Sequence, residues 1–96
     1  MNSTITSKKL QQYFSITKEA LDKAKPAIDA SRKAQAEDFL DMASRYVQDA
    51  EYFLTAKQDA VLAFEELNYA HGWLDAGARI GLFKVKDSRL FTVDDK

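Results

Sequence analysis

The chain of 96 residues has no cysteine, one proline, one histidine, one tryptophan and only three glycines. Without cysteine there can be no disulfide and no thiolate metal site, and an intracellular setting is favoured. With one histidine as well, a closed zinc site lacks its ligands. Paired Glu-x-x-His motifs, which carboxylate-bridged di-metal bundles need, are absent. So are a phosphate-cradling glycine loop, a nucleophile elbow and a helical zinc-protease motif. The separation of Arg45 from His71 does not form the short arginine-to-histidine motif of helical ribonucleases. No catalytic residue, metal or cofactor is therefore expected. No apolar run approaches the roughly 18 residues of a membrane span. Residues 1–10 (MNSTITSKKL) lack the apolar stretch of a secretory leader. A cytoplasmic protein without a membrane partner is the expectation.

Strong net charge is also lacking: the formal total is −1. The charge is unevenly spread, with seven Lys/Arg against three Asp/Glu over residues 1–35, three against nine over 36–83, and four against three over 84–96. Such a split fits a basic helix lying beside an acidic one. It also leaves open a nucleic-acid face on Lys8, Lys9, Lys18, Lys23, Lys25, Arg32 and Lys33.

With so few breakers, helical periodicity dominates. Leu10, Phe14, Thr17, Leu21, Ala24 and Ile28 recur at alternating steps of four and three. So do Ala36, Leu40, Ala43, Val47, Ala50 and Leu54, and then Ala60, Phe64, Leu67, His71, Leu74, Ala78 and Gly81. Three such stripes predict an all-α fold, an antiparallel up-down-up three-helix bundle over residues 1–83 with a short irregular tail, 84–96. Thr6 or Ser7 can cap the first helix. Pro26 ends it near Ala24, because the residue before proline avoids the helical region, or else kinks one longer helix. Residues 25–33 read as a connection or a solvated first turn. The second helix is expected over 34–56 and the third from about Asp59 to about Leu82, with Asp59 at its N-terminus. Leu40, Val47, Leu54, Phe64, Leu67 and Leu74 are the expected core.

The third helix carries more apolar surface than a bundle needs. One arc holds Ala63, Leu67, Ala70, Leu74 and Gly77, and its small members at 63, 70 and 77 make a groove for another helix. A second strip holds Leu62, Tyr69, Trp73, Ala76 and Ile80. Between them runs a narrow polar strip of Glu65, Asn68, Gly72, Asp75 and Arg79. Tyr69 and Trp73 either pack on the first helix, lie under the tail's Leu90 and Phe91, or form an exposed patch of the kind that marks an interface. His71 reads as a satisfied core histidine. Asp75, four residues on, can bond it or pair with Arg79. Asn68, Asp75 and Arg79 form a polar stripe that reads first as a solvated face with one ion pair and second as a seat for a small anion; with His71 they make a candidate polar site.

The stretches AEDFLDMASRYVQDAEYFL (36–54) and AFEELNYAHGWLDAGARIGLF (63–83) carry Phe39-Leu40, Ala43, Tyr46, Asp49-Ala50 and Phe53, then Asn68-Tyr69-Ala70, Gly72-Trp73-Leu74-Asp75-Ala76, Arg79 and Gly81-Leu82-Phe83. They resemble a family of short archaeal proteins named as a domain of unknown function, number 357. The match covers about residues 34–83, with the first helix matching only in type and the tail outside. The resemblance implies a small helical bundle in an archaeal cytoplasm, and no activity. The expected function is a non-enzymatic module that binds another protein or itself through Leu62, Tyr69, Trp73 and Ile80. An RNA-associated role for the basic first helix ranks second, and a small-ligand site at Asn68, His71, Asp75 and Arg79 third.

Overall fold

Thr6 starts the first helix: its hydroxyl accepts the Lys9 N–H at 3.1 Å, satisfying one of the donors a helix N-terminus leaves free. In the computed structural model, which describes residues 5–93, this helix, α1, spans Ser7–Ala24. Residues 1–4 and 94–96, parts of the expected bundle and tail, lie outside the described residues. Pro26 breaks α1, as one of the two expectations had it, and sits in a single 3₁₀ turn, Lys25–Ala27. The reason differs from the one expected. Lys25, before the proline, stays in the helical region at φ −52°, ψ −51°. What proline removes is the N–H the next helical bond needs. A second 3₁₀ turn, Ala30–Arg32, is capped by Asp29, whose carboxylate accepts both the Ser31 N–H (3.0 Å) and its hydroxyl (2.7 Å).

Helix α2 spans Lys33–Thr55 and helix α3 spans Ala60–Arg79. Four residues join them, too few for anything but antiparallel neighbours. Gln58 in this turn takes φ +52°, a left-handed conformation that side chains resist. Asp59 caps α3 by accepting the Leu62 N–H at 3.0 Å. At its far end α3 closes in a Schellman arrangement: Leu82 N–H bonds the Gly77 carbonyl (2.8 Å), Gly81 N–H bonds that of Ala78 (3.2 Å), and Gly81 sits at φ +80°. The Arg32 guanidinium donates to the carbonyl of Ile80 at 2.6 Å, satisfying one more helix-end acceptor.

The three helices pack as a bundle of 41 × 27 × 19 Å, with α2 and α3 in the most extensive contact. The seams are built of small residues. Ala20, Ala24, Ala36, Ala43, Ala50, Ala63 and Ala70 are all fully buried, and small side chains at a seam permit close helix packing. Of the expected core, Val47, Leu67 and Leu74 are buried; Leu40, Leu54 and Phe64 are half-buried at its margins. The buried positions of α3 follow the arc Ala63, Leu67, Ala70, Leu74 and Gly77.

After α3 the chain turns back and is clipped to the α1–α2 connection. Asp29 N–H bonds the Leu82 carbonyl and Lys84 N–H bonds that of Ala27, both at 2.8 Å, setting Ile28 against Phe83 as an isolated antiparallel bridge. The clip drives the Phe83 ring into the bundle, where it is 1% exposed. A Cβ at Gly77 would lie 2.2 Å from that ring. The small-residue groove was expected to receive another helix; at Gly77 the nearest neighbour is the Phe83 ring. The tail then lays Leu90 and Phe91 into the core, 1% and 2% exposed.

Candidate functional site

His71 rises from α3 between α1 and the tail. Its Nε2 lies 2.6 Å from the carbonyl oxygen of Leu90 and its Nδ1 lies 3.1 Å from the Thr17 hydroxyl. A carbonyl can only accept, so Nε2 carries the proton; in the neutral ring Nδ1 then accepts from Thr17. Thr17 is 0% exposed, and this bond gives its hydroxyl a partner. Both ring nitrogens are thus used to fasten the tail to α1 and α3. Asp75 is not within bonding reach of the ring, 3.9 Å from Nε2; its carboxylate instead accepts the Thr92 N–H at 2.8 Å. Asn68 accepts from the Tyr13 hydroxyl at 2.7 Å. Burial, and then the charge of Asp75, raise the Tyr13 pKa above the usual phenol value. Arg79 stands exposed at the C-terminal turn of α3, where a cation suits the helix dipole, and forms no ion pair among the described residues.

The four residues of the candidate polar site are therefore held apart. His71 and Asp75 share a small cleft with tail residues 88–93, Asn68 is turned to Tyr13, and Arg79 faces solvent. Among the described residues there is no cluster of three His, Cys, Asp or Glu able to hold a metal.

The apolar strip is different. Tyr69 is 60% exposed and Ile80 51%, Leu62 stands at 36%, and Trp73 is half-buried. The ring contacts of both aromatics are to α2. Tyr69 stacks on Tyr46 of α2 at 5.3 Å between ring centroids, and Trp73 meets Phe39 of α2 edge-on at 5.0 Å. The tail docks on the His71 side of α3 and leaves these rings uncovered by Leu90 and Phe91. The result is an open, almost wholly apolar groove of about 500 Å³, lined by Phe39, Asn68, Tyr69, Gly72, Trp73 and Ala76. Gly72 forms its bare floor: a Cβ there would meet nothing within 4 Å. Phe39 and Tyr46 were absent from the sequence-derived strip. They sit at the edge of α2's own apolar arc, and only the α2–α3 pairing brings them beside Tyr69 and Trp73.

The basic residues do not form one free surface. Lys18 pairs with Glu51 at 2.8 Å and lies over the Phe14 ring, and Arg32 is bonded to Ile80 and Gln35. Lys8, Lys9, Lys23 and Lys33 are exposed.

No curated protein and no solved structure matches this chain significantly. A family profile described as a protein of unknown function (DUF357) matches residues 12–83. The match takes in most of α1 as well as the two helices whose residues first suggested the likeness, and it stops where the tail begins. With most of its length inside that profile, the chain belongs to the DUF357 family of proteins of unknown function.

Proposed function

We propose that this protein is a non-enzymatic interaction module, and that its docking surface is the groove between α2 and α3 formed by Phe39, Tyr69, Gly72 and Trp73. The observation that carries the reading is Gly72. A glycine inside a helix costs roughly 1 kcal/mol relative to alanine, and internal packing does not require this one, since the space above it is open. Its advantage lies outside the monomer, where a bare backbone allows a partner to come close. Exposed aromatic side chains beside a bare floor are the groups that anchor interfaces. The one histidine is committed at both nitrogens to holding the tail, which argues against a catalytic role. The setting assigned is an archaeal cytoplasm, on the family resemblance and the cysteine-free chain.

A photoreactive amino acid placed at Tyr69 in the full chain tests this. In the native cytoplasm it should give one dominant adduct, either of the chain with itself or with one other protein. The same group at Gln11, exposed on α1, should give little. Equal labelling from both positions, or none from Tyr69, would show that the groove is not a docking surface.

A further inference from the structure

We infer that the occupant of this face is a second copy of the same chain, docked antiparallel, α3 against α3, about a two-fold axis passing beside Gly72. The inference rests on the reading of the groove as a docking site and names its partner. An isologous interface must be complementary to itself: whatever precedes the centre on one copy must suit whatever follows it on the other. Glu65 lies seven residues before Gly72 and Arg79 seven after. Seven residues of α-helix turn about 700°, so both charges project within about 20° of the Gly72 direction, and they stand about 21 Å apart along the axis. Both are exposed, and neither forms an ion pair among the described residues.

Antiparallel docking centred on Gly72 sets Glu65 against Arg79 of the partner subunit, and Arg79 against Glu65 of the partner subunit. Two complementary pairs then bracket a seam whose centre is two bare glycines. Ala76, four residues past the centre and about 40° toward the aromatic side, adds a second small side chain to the seam. A two-fold perpendicular to both helices keeps each side of the seam on its own side. Tyr69, Trp73 and Ile80 of both copies therefore meet along one edge, where Phe39 and Tyr46 widen the contact. The net charge of −1 per chain puts little repulsion against it.

Sedimentation equilibrium of the full chain from about 1 to 500 µM, with charge-reversed variants, tests the register. The wild type should dimerise below about 100 µM, as befits a small interface. Glu65→Arg and Arg79→Glu should each weaken association by about tenfold or more, since each places like charges opposite one another twice. An equimolar mixture of the two single variants should recover association to within about threefold of wild type, because each then meets its opposite. The double variant Glu65→Arg/Arg79→Glu should recover by itself. Single variants as tight as wild type, or single variants that fail to rescue one another, overturn the register. A wild type that stays monomeric while position 69 captures a different protein overturns the self-pairing and leaves the groove as a docking site. A monomer with no capture at position 69 overturns both.

Discussion

Single residues carry opposite consequences within one helix. Leu67 is completely buried beside Ala50 and Ala63. Leu67→Ala should cost about 2–5 kcal/mol through lost transfer energy and the cavity left behind, read from urea unfolding; a loss below about 1 kcal/mol would reject the packing around it. Gly77 is confined by the Phe83 ring, which is buried and held by backbone bonds on both sides. A methyl at Gly77 must displace that ring, so Gly77→Ala should lose about 1–2 kcal/mol, overpacking outweighing the better helix propensity. Gln58 is the reverse case. Its φ of +52° suits glycine better than a side chain, and Gln58→Gly should gain about 0.5–1 kcal/mol. An unchanged or lowered unfolding midpoint would show that Gln58 makes a compensating contact.

At the scale of elements, ionised side chains shape the α1–α2 connection and tie the tail to α1. The Ser31 hydroxyl and N–H hold the Asp29 carboxyl below the usual carboxylate range, and the hydrogen bond from Arg89 does the same for Glu19. Because both are lower in the folded than in the unfolded chain, the stability they lend is complete above the unfolded value of about 4 and fades as pH falls through the folded one. Asp29→Asn should therefore flatten the acid limb of a stability-versus-pH curve, and an acid limb of unaltered slope would contradict that. Glu66 runs the other way: burial and the neighbouring Asp49 and Glu65 raise its pKa, so its protonation favours the fold at low pH. Helix number, order and the starts of α1 and α3 were legible in the sequence, since the 4-3 spacing, Thr6 and Asp59 are local signals; α3 ends at Arg79, short of the expected Leu82, because Gly81 turns the chain at φ +80°. The clip was not legible. It joins Ile28 to Phe83 through backbone bonds that leave no periodic trace. The tail was only partly legible: Leu90 and Phe91 announced themselves as apolar, but their place beside His71 is fixed by long-range bonds, the Leu90 carbonyl to His71 and the Thr92 N–H to Asp75. The groove was half legible, because α3's excess apolar surface shows in its own sequence, whereas its far wall comes from α2.

For the molecule as a whole, charge and shape separate two surfaces. The basic side chains of α1 are exposed, with Lys18 paired to Glu51, and Arg32 in the α1–α2 connection is spent on the end of α3. RNA affinity should accordingly be weak or nil at physiological salt. Salt-sensitive binding tighter than about 1 µM that disappears on replacing Lys8, Lys9 and Lys18 would reverse the ranking of partners. The opposite surface presents the open aromatic groove, and its meaning turns on whether Gly72 serves the fold or a partner. Urea unfolding of Gly72→Ala at about 1 µM, where chains are well separated, decides this most directly. If the glycine is kept bare for docking, the added methyl enters open space and the isolated chain gains about 0.5–1 kcal/mol. If the variant is instead less stable than wild type, Gly72 is part of the internal packing and the case for an interface on this face is lost.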